Sequence, residues 1–210
     1  MKTINFCGDS FCAYHAVSSA WTKLLAHRLN VNIIGYGKSR SAHEHAIQTF
    51  NNTADYTIFC WTEAHRLYVN QTYCTSLLTL EAMFNPESTI SEYSPTPTQR
   101  DKAAYIYYKY LYKPKLHSQR QIRDLYWFDN VVLSQYKGVA IHLFCFRNTY
   151  TFTNGININT PLNQLRDNPN KFPVSLDIEP ANHLTEQQNS GLADKIYNII
   201  KEHHEKTNYK

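Results

Sequence analysis

The chain has 210 residues, a length that suits one domain, residues 1–210, with a full hydrophobic core and no need of disulfides or metals for folding. Hydrophobic residues make up 42% and charged residues 18%, which is ordinary for a globular protein. The net charge is +4, with Lys and Arg scattered along the chain, so we expect no nucleic-acid partner.

The cysteines and the hydropathy pattern bear on the compartment. Five cysteines are present, and three of them lie in apolar runs, which favours free buried thiols in a reducing compartment. No basic-then-apolar leader is apparent, and no apolar run approaches the roughly 20 residues of a membrane helix. We therefore expect a cytoplasmic protein without a membrane partner.

The chain opens with a short predicted strand that ends in a polar turn. Residues 2–6 alternate between polar and apolar, and Gly8, Asp9 and Ser10 end the run directly before a helical segment. In open α/β sheets ligands bind at the carboxyl ends of strands, so Ser10 is a candidate nucleophile. The alternative is that Asp9 or Ser10 only caps the following helix.

The layout of strand, turn and helix then recurs. Periodicity predicts helices over 16–28 and 41–50 and strands over 31–34 and 56–61. Gly37 lies in the glycine turn after the second strand, and Thr62 directly follows the third. Because parallel strands bring their carboxyl ends to one edge, Ser10, Gly37 and Thr62 are expected to share a site.

The pattern changes after the third strand. Residues 69–136 contain no convincing strand, but 103–112 and 121–136 have helical patterns separated by a basic, proline-containing segment at 113–115. We therefore expect a helical insertion over residues from about 71 to 136.

The last part of the chain returns to the α/β pattern. Residues 139–146 form a nearly continuous apolar run, as in a central parallel strand, and 156–158 could add a short edge strand within an irregular connection. An amphipathic helix over 185–204 closes the chain. The predicted fold is a three-layer α/β/α sandwich with a mostly parallel sheet.

A base for Ser10 is available near the end of the chain. His183 lies in a loop directly before the last predicted helix, and the carboxylates Asp177 and Glu179 precede it. This order of serine, acid and histidine is typical of a catalytic triad, in which the acid orients the imidazole and the imidazole activates the hydroxyl.

Two other residue patterns argue against a metal site and a dinucleotide site. His43 and His45 are two residues apart, on opposite sides of a helix, which argues against a shared metal. The glycines around Gly37 lack the remainder of a dinucleotide fingerprint. Among the basic residues that follow strands, Arg66 is the best candidate to bind an anionic or carbonyl group, with Asp9 and Trp61 as further substrate contacts.

The four blocks together resemble the SGNH (GDSL-type) hydrolase superfamily. They are Gly8-Asp9-Ser10, the glycine turn with Gly37, the polar residues after the third strand, and His183 before the terminal helix. The resemblance covers most of the chain apart from the insertion and implies a flavodoxin-like fold. It implies Ser10 as nucleophile, His183 as base, and an oxyanion hole that includes the Gly37 backbone N–H.

The sequence departs from the family pattern at two positions. Thr62 lies where the family carries an oxyanion-hole asparagine, and Pro180 lies three residues before His183, where the family carries its acid. Thr62 could donate one hydroxyl hydrogen bond instead. The acid would then be Glu179, which is nearer and longer, or Asp177.

The third block, Trp61-Thr62 followed by Arg66, is similar to blocks of virus-encoded members of the superfamily. This similarity implies a phage origin, with the host cytoplasm or the virion as the location.

The sequence thus predicts a cofactor-free serine esterase that acts through a Ser10 acyl-enzyme. Its substrate would be a small-molecule or carbohydrate ester, for example an acyl group on a sugar. The rival is a non-catalytic SGNH-like binding or structural protein, such as a phage virion or assembly component. The residues do not specify the acyl group, the alcohol or the oligomeric state.

Overall fold

Three strands form the centre of the molecule because their sequences are almost entirely apolar. In the computed structural model, which describes residues 1–70, 73–75, 80, 84, 97–166 and 181–208, β1 spans Thr3–Gly8 and β3 spans Tyr56–Trp61. The sixth strand, β6, spans Val139–Phe144. Every residue of β3 is buried, and so are all but the first residue of β1 and of β6. Burial of successive residues requires cover on both faces of the sheet.

Two shorter strands complete a five-stranded sheet. β2 spans Asn32–Gly35, β7 spans Ile156–Ile158, and the strand order is β2-β1-β3-β6-β7. All neighbouring pairs are parallel. The expected α/β architecture with a parallel sheet is confirmed, and the carboxyl ends of all five strands lie at one edge.

Helices cover both faces of this sheet. The helices are α1 (Trp21–Leu29), α2 (His43–Gln48), α3 (Gln99–Tyr110), α4 (Pro114–Trp127) and α5 (Glu186–Asn208). Residues of α1 and α5 pack on Ile4, Phe6 and Ile58 in one core cluster. Residues of α2 and α4 pack on Phe59 and Trp61 in a second cluster, which gives three layers.

The segment after β3 differs from its prediction. β4 (Leu67–Asn70) and β5 (Tyr73–Thr75) form an antiparallel hairpin where no strand was expected. Strands of four and three residues are too short for a two-residue period to be recognised in the sequence. Two helices are separated near Lys113, as predicted, but the second one already begins at Pro114 and not at residue 121. Proline suits this position because it lacks only an N–H that the first helical turn leaves unpaired.

The bounds of two helices also differ from the predicted ones. α1 begins at Trp21 and not near residue 16, because the backbone of Ala20 is extended. The predicted helix over 121–136 is the end of α4, a π-helical turn over Phe128–Val132 and a 3-10 turn over Leu133–Gln135. Among the residues described, no helix is both long and apolar enough to cross a lipid bilayer.

The buried cysteines match their expectation. Cys7, Cys12, Cys60 and Cys145 are free thiols in the core. Burial raises the pKa of the Cys7 thiol above its usual range, so this side chain stays protonated and packs as a small apolar group.

A buried histidine joins β6 to the loop that follows it. The His142 Nδ1 accepts a hydrogen bond from the Trp61 indole N–H at 3.2 Å, so the Nε2–H donates to the Asn154 carbonyl at 3.0 Å. The imidazole stacks on Phe152 with 3.7 Å between ring centroids. Burial lowers the pKa of His142 to about 4, so the ring is neutral at physiological pH.

The low pKa of His142 predicts that the folded protein loses stability in acid. The unfolded chain binds a proton on His142 near pH 6.5, whereas the folded chain does so only near pH 4. Unfolding is therefore favoured as the pH falls through this window, by about 2 kcal/mol between pH 7 and 4.5. Urea unfolding of the wild type and His142→Gln at both pH values measures the difference. The variant, which does not titrate, should lose less stability, and equal losses would contradict the assignment.

Candidate active site

Ser10 lies on a tight turn directly after β1. Gly8 has φ +151° and lies so close to β3 that an added Cβ would be 2.3 Å from the Cys60 carbonyl oxygen, so glycine is required there. The Asp9 carboxylate accepts a hydrogen bond from the Phe11 N–H at 3.0 Å and caps the 3-10 turn Ser10–Cys12. Asp9 thus does cap the turn, as the alternative interpretation held, and the cap fixes the position of Ser10.

His183 contacts the serine directly. The His183 Nε2 is 2.7 Å from the Ser10 Oγ, although the two residues are 173 positions apart in the sequence. The ring also packs against Phe11, with 5.0 Å between centroids. This distance is that of a serine hydrogen-bonded to its general base.

Asn182 holds the histidine loop against the serine turn. Its Nδ2 donates to the backbone carbonyls of Ser10 at 3.1 Å and Ala13 at 3.0 Å. Asn182 and His183 have φ values of 56° and 63°, in the left-handed region where asparagine is tolerated better than most residues. The short backbone turn therefore presents the imidazole to Ser10.

A second asparagine fixes the other end of this loop. The Asn189 Nδ2 donates to the carbonyls of Ala181 at 2.9 Å and Leu184 at 2.8 Å, and its Oδ1 accepts from the Trp21 backbone N–H at 2.9 Å. The Trp21 indole in turn donates to the Phe11 carbonyl at 2.7 Å. The positioning roles of Asn182 and Asn189 were not predicted, although both asparagines flank the predicted base.

The predicted acids, Asp177 and Glu179, lie outside the described residues. Which of them supports His183 stays a prediction.

Gly37 lies at the same edge, but its N–H is already engaged. It donates to the Cys12 carbonyl at 3.0 Å, and the next residue, Lys38, donates its N–H to the Gly8 carbonyl at 2.9 Å. An added Cβ on Gly37 would be 2.5 Å from the Cys12 Sγ, so this position requires glycine for close packing. The expected oxyanion role of Gly37 would require its hydrogen bond to break, and the geometry instead supports a structural role.

Thr62 also lies at this edge and carries an unused donor. Gly8 is opposite Cys60 in the parallel register of β1 and β3, so Ser10 and Thr62 are each two residues beyond the paired ends. The Thr62 Oγ1 is buried and has no hydrogen-bond partner among the residues described. Its backbone carbonyl accepts from the Gln121 Nε2 at 2.7 Å, which ties it to α4.

Arg66 approaches the serine turn through Asp9. The Arg66 Nη2 is 3.3 Å from the Asp9 Oδ2, and the side chains of Arg66 and Asp9 are 12% and 0% exposed. The guanidinium also lies 5.7 Å from the centroid of the Phe146 ring. The Arg66 Nε is buried without a hydrogen-bond acceptor within the described part of the chain. A cationic donor is therefore held near Ser10 with one N–H unused.

Two predicted substrate contacts are wrong. Asp9 is completely buried and accepts a further hydrogen bond from the Cys145 thiol at 3.1 Å. Burial and the nearby Asp9 carboxylate raise the pKa of that thiol well above its usual range, which keeps it a donor. Trp61 is also completely buried and stacks on Phe59 with 4.9 Å between centroids. Both side chains support the site from beneath and present no surface to a substrate.

The described residues bring Ser10 and His183 into contact at the sheet edge where Thr62 and Arg66 also lie. Ser10 begins its 3-10 turn, so its own N–H has no acceptor within that turn and adds a third donor to those of Thr62 and Arg66. A serine hydroxyl in contact with an imidazole is the pairing of nucleophile and base that acyl transfer uses. Comparison of the sequence with models of protein families and with curated proteins finds no match.

The role of Asn182 predicts a stability difference between two substitutions. Asn182→Ala loses two hydrogen bonds and places an ordinary residue in the left-handed region, so the free energy of unfolding should fall by about 2–3 kcal/mol. Asn182→Gly loses only the hydrogen bonds and should be about 1 kcal/mol more stable than Asn182→Ala. Urea unfolding measures both, and wild-type stability in either variant would contradict the anchoring role.

Proposed function

We propose that this chain is a serine hydrolase of the SGNH type that cleaves an ester through a Ser10 acyl-enzyme. The observation that carries the proposal is the 2.7 Å contact between the His183 Nε2 and the Ser10 Oγ. Hydrogen bonds from Asn182 and Asn189 hold the loop that carries His183. Such a network argues that the contact between His183 and Ser10 is specific and not accidental. The order of the blocks along the sequence adds independent support.

In this mechanism His183 removes the Ser10 proton while the Oγ attacks the ester carbonyl. The resulting tetrahedral intermediate carries a negative oxygen, and its collapse expels the alcohol, to which His183 returns the proton. A water molecule, deprotonated by His183, then attacks the acyl-enzyme, and Ser10 leaves with a proton from His183. Glu179, or else Asp177, would orient the imidazole.

The oxyanion would be stabilised by donors other than those of the family pattern. We assign the Ser10 N–H, the Thr62 hydroxyl and the Arg66 guanidinium to this role, because the Gly37 N–H already donates to Cys12. A hydrogen bond from a cation is roughly twice as strong as one from a neutral group. Arg66 could therefore offset the missing asparagine amide.

The substrate class proposed is a small-molecule ester, with an acylated carbohydrate as the example. The rival is a non-catalytic binding or structural protein, for instance a phage virion or assembly component. The engaged Gly37 N–H is the observation that favours the rival, since a family oxyanion donor is then unavailable. A direct probe of Ser10 reactivity separates the two proposals.

A fluorophosphonate probe should form one covalent adduct, detected by intact mass and located on Ser10. Ser10→Ala should abolish labelling, whereas the exposed Ser39→Ala, at the same sheet edge, should leave it unchanged. His183→Ala should slow hydrolysis of an activated ester by at least about a hundredfold, because general-base assistance is worth about 10²–10⁴. A chain that never labels would favour the rival.

Thr62→Val tests the unused hydroxyl. Because the Thr62 Oγ1 makes no hydrogen bond within the described residues, the variant should be as stable as the wild type. Its kcat should nevertheless fall by about a hundredfold if the hydroxyl donates to the oxyanion. Thr22→Val is the matched control, since the Thr22 hydroxyl is also buried and has no partner among the described residues, but lies on α1. Equal kcat values for both variants would refute the assignment.

A further inference from the structure

The turn between β3 and β4 carries the two side chains proposed as donors to the oxyanion. It consists of residues 62–66, the donor segment, with Thr62 at one end and Arg66 at the other. Within this segment the Arg66 N–H donates to the Glu63 carbonyl at 3.4 Å, which is long for a hydrogen bond. The backbone of such a turn needs support from other parts of the molecule if its side chains are to keep fixed positions.

Helix α4 holds the first end of the donor segment. The Gln121 side chain is 1% exposed, and its Nε2 donates to the Thr62 carbonyl at 2.7 Å. One turn further along α4, Leu125 is buried in the core cluster that also contains Trp61. Because core packing fixes α4 against β3, the Gln121 amide is presented to Thr62 from a rigid support.

Helix α3 holds the backbone around Arg66. Tyr108 is 5% exposed, and its hydroxyl donates to the His65 carbonyl. Burial raises the pKa of Tyr108, and a hydrogen bond from the Leu67 backbone lowers it in part. The phenol therefore stays protonated and remains a donor at physiological pH. Through these two hydrogen bonds one hydroxyl joins the residue before Arg66 to the residue after it.

Both helices lie in the inserted part of the chain. We propose that Gln121 and Tyr108 are positioning residues, through which α4 and α3 keep the Thr62 hydroxyl and the Arg66 guanidinium in place for the oxyanion. The insertion then contributes to catalysis by holding backbone carbonyls of the donor segment. This inference rests on the proposed function, in which Thr62 and Arg66 stabilise the tetrahedral intermediate. A displacement of about 1 Å in such a group can reduce the rate by about 10²-fold.

Two substitutions remove one hydrogen bond each with little change in volume. Gln121→Met removes the amide, and Tyr108→Phe removes only the hydroxyl. Each should lower kcat for an activated ester by at least about tenfold and change KM less than about twofold, because the donors act in the transition state. Gln119→Met, on the exposed side of α4, and Tyr107→Phe, whose hydroxyl contacts the His117 Nε2 at 2.7 Å, are the matched controls and should retain the wild-type kcat.

A double-mutant cycle separates positioning from a merely structural role. In the Thr62→Val background no hydroxyl remains for the amide to position, so Gln121→Met should change the kcat of the folded protein less than about twofold there. The same fold reduction in both backgrounds would overturn the role of Gln121. If Gln121→Met does not fold, Tyr108→Phe decides, and a kcat equal to that of Tyr107→Phe would overturn the proposal.

Failure of the hydrolase proposal gives a different result. In that case the wild type neither hydrolyses esters nor labels with the fluorophosphonate, and the mobility of the donor segment decides. The NMR order parameter of the Thr62 methyl group should fall in Gln121→Met and stay at the wild-type value in Gln119→Met. An order parameter that Gln121→Met leaves unchanged would overturn the positioning role independently of catalysis.

Discussion

The buried carboxylate of Asp9 is the interaction on which the site depends. A buried carboxylate is costly unless it is paired and hydrogen-bonded. The Asp9 Oδ1 accepts hydrogen bonds from the Phe11 N–H and the Cys145 thiol, and the Oδ2 lies 3.3 Å from the Arg66 Nη2 in an ion pair. The first partner shapes the turn that carries Ser10. The ion pair with Asp9 places the positively charged Arg66, which lies after β3, at the end of β1. One buried carboxylate therefore positions both Ser10 and Arg66.

His183 is positioned by a different set of contacts, in which asparagine side chains donate hydrogen bonds to backbone carbonyls. Asn182 and Asn189 donate to carbonyls on both sides of the loop that carries His183, and the Asn189 Oδ1 holds the first residue of α1. These amides join the two ends of the chain across the sheet edge. Because the serine turn and the histidine loop are held by separate networks that meet at the Ser10 carbonyl, loss of either network should move the 2.7 Å contact.

Periodicity predicted the fold well because most elements are long enough to show it. The apolar runs of β1, β3 and β6 and the stripe of α5 are unambiguous, and the parallel arrangement follows from their alternation with helices. The hairpin β4-β5 was missed because its strands are too short. Residue type placed Ser10 and His183 together, but it could not distinguish Trp61 and Asp9, which lie under the site, from residues that face a substrate. That distinction depends on burial, which neighbours far along the sequence determine.

The pattern of paired and unpaired polar atoms at the sheet edge bears on the proposed oxyanion site. A folded protein pairs almost all of its buried polar groups, because each exception lowers stability. Within the described residues the exceptions at this edge include the Asp9 Oδ2 and, on the segment after β3, the Thr62 hydroxyl and the Arg66 Nε. Gly37, in contrast, already donates its N–H to the Cys12 carbonyl. Under the proposed function, the donors left for a substrate are therefore those that follow β3 and not the N–H of Gly37.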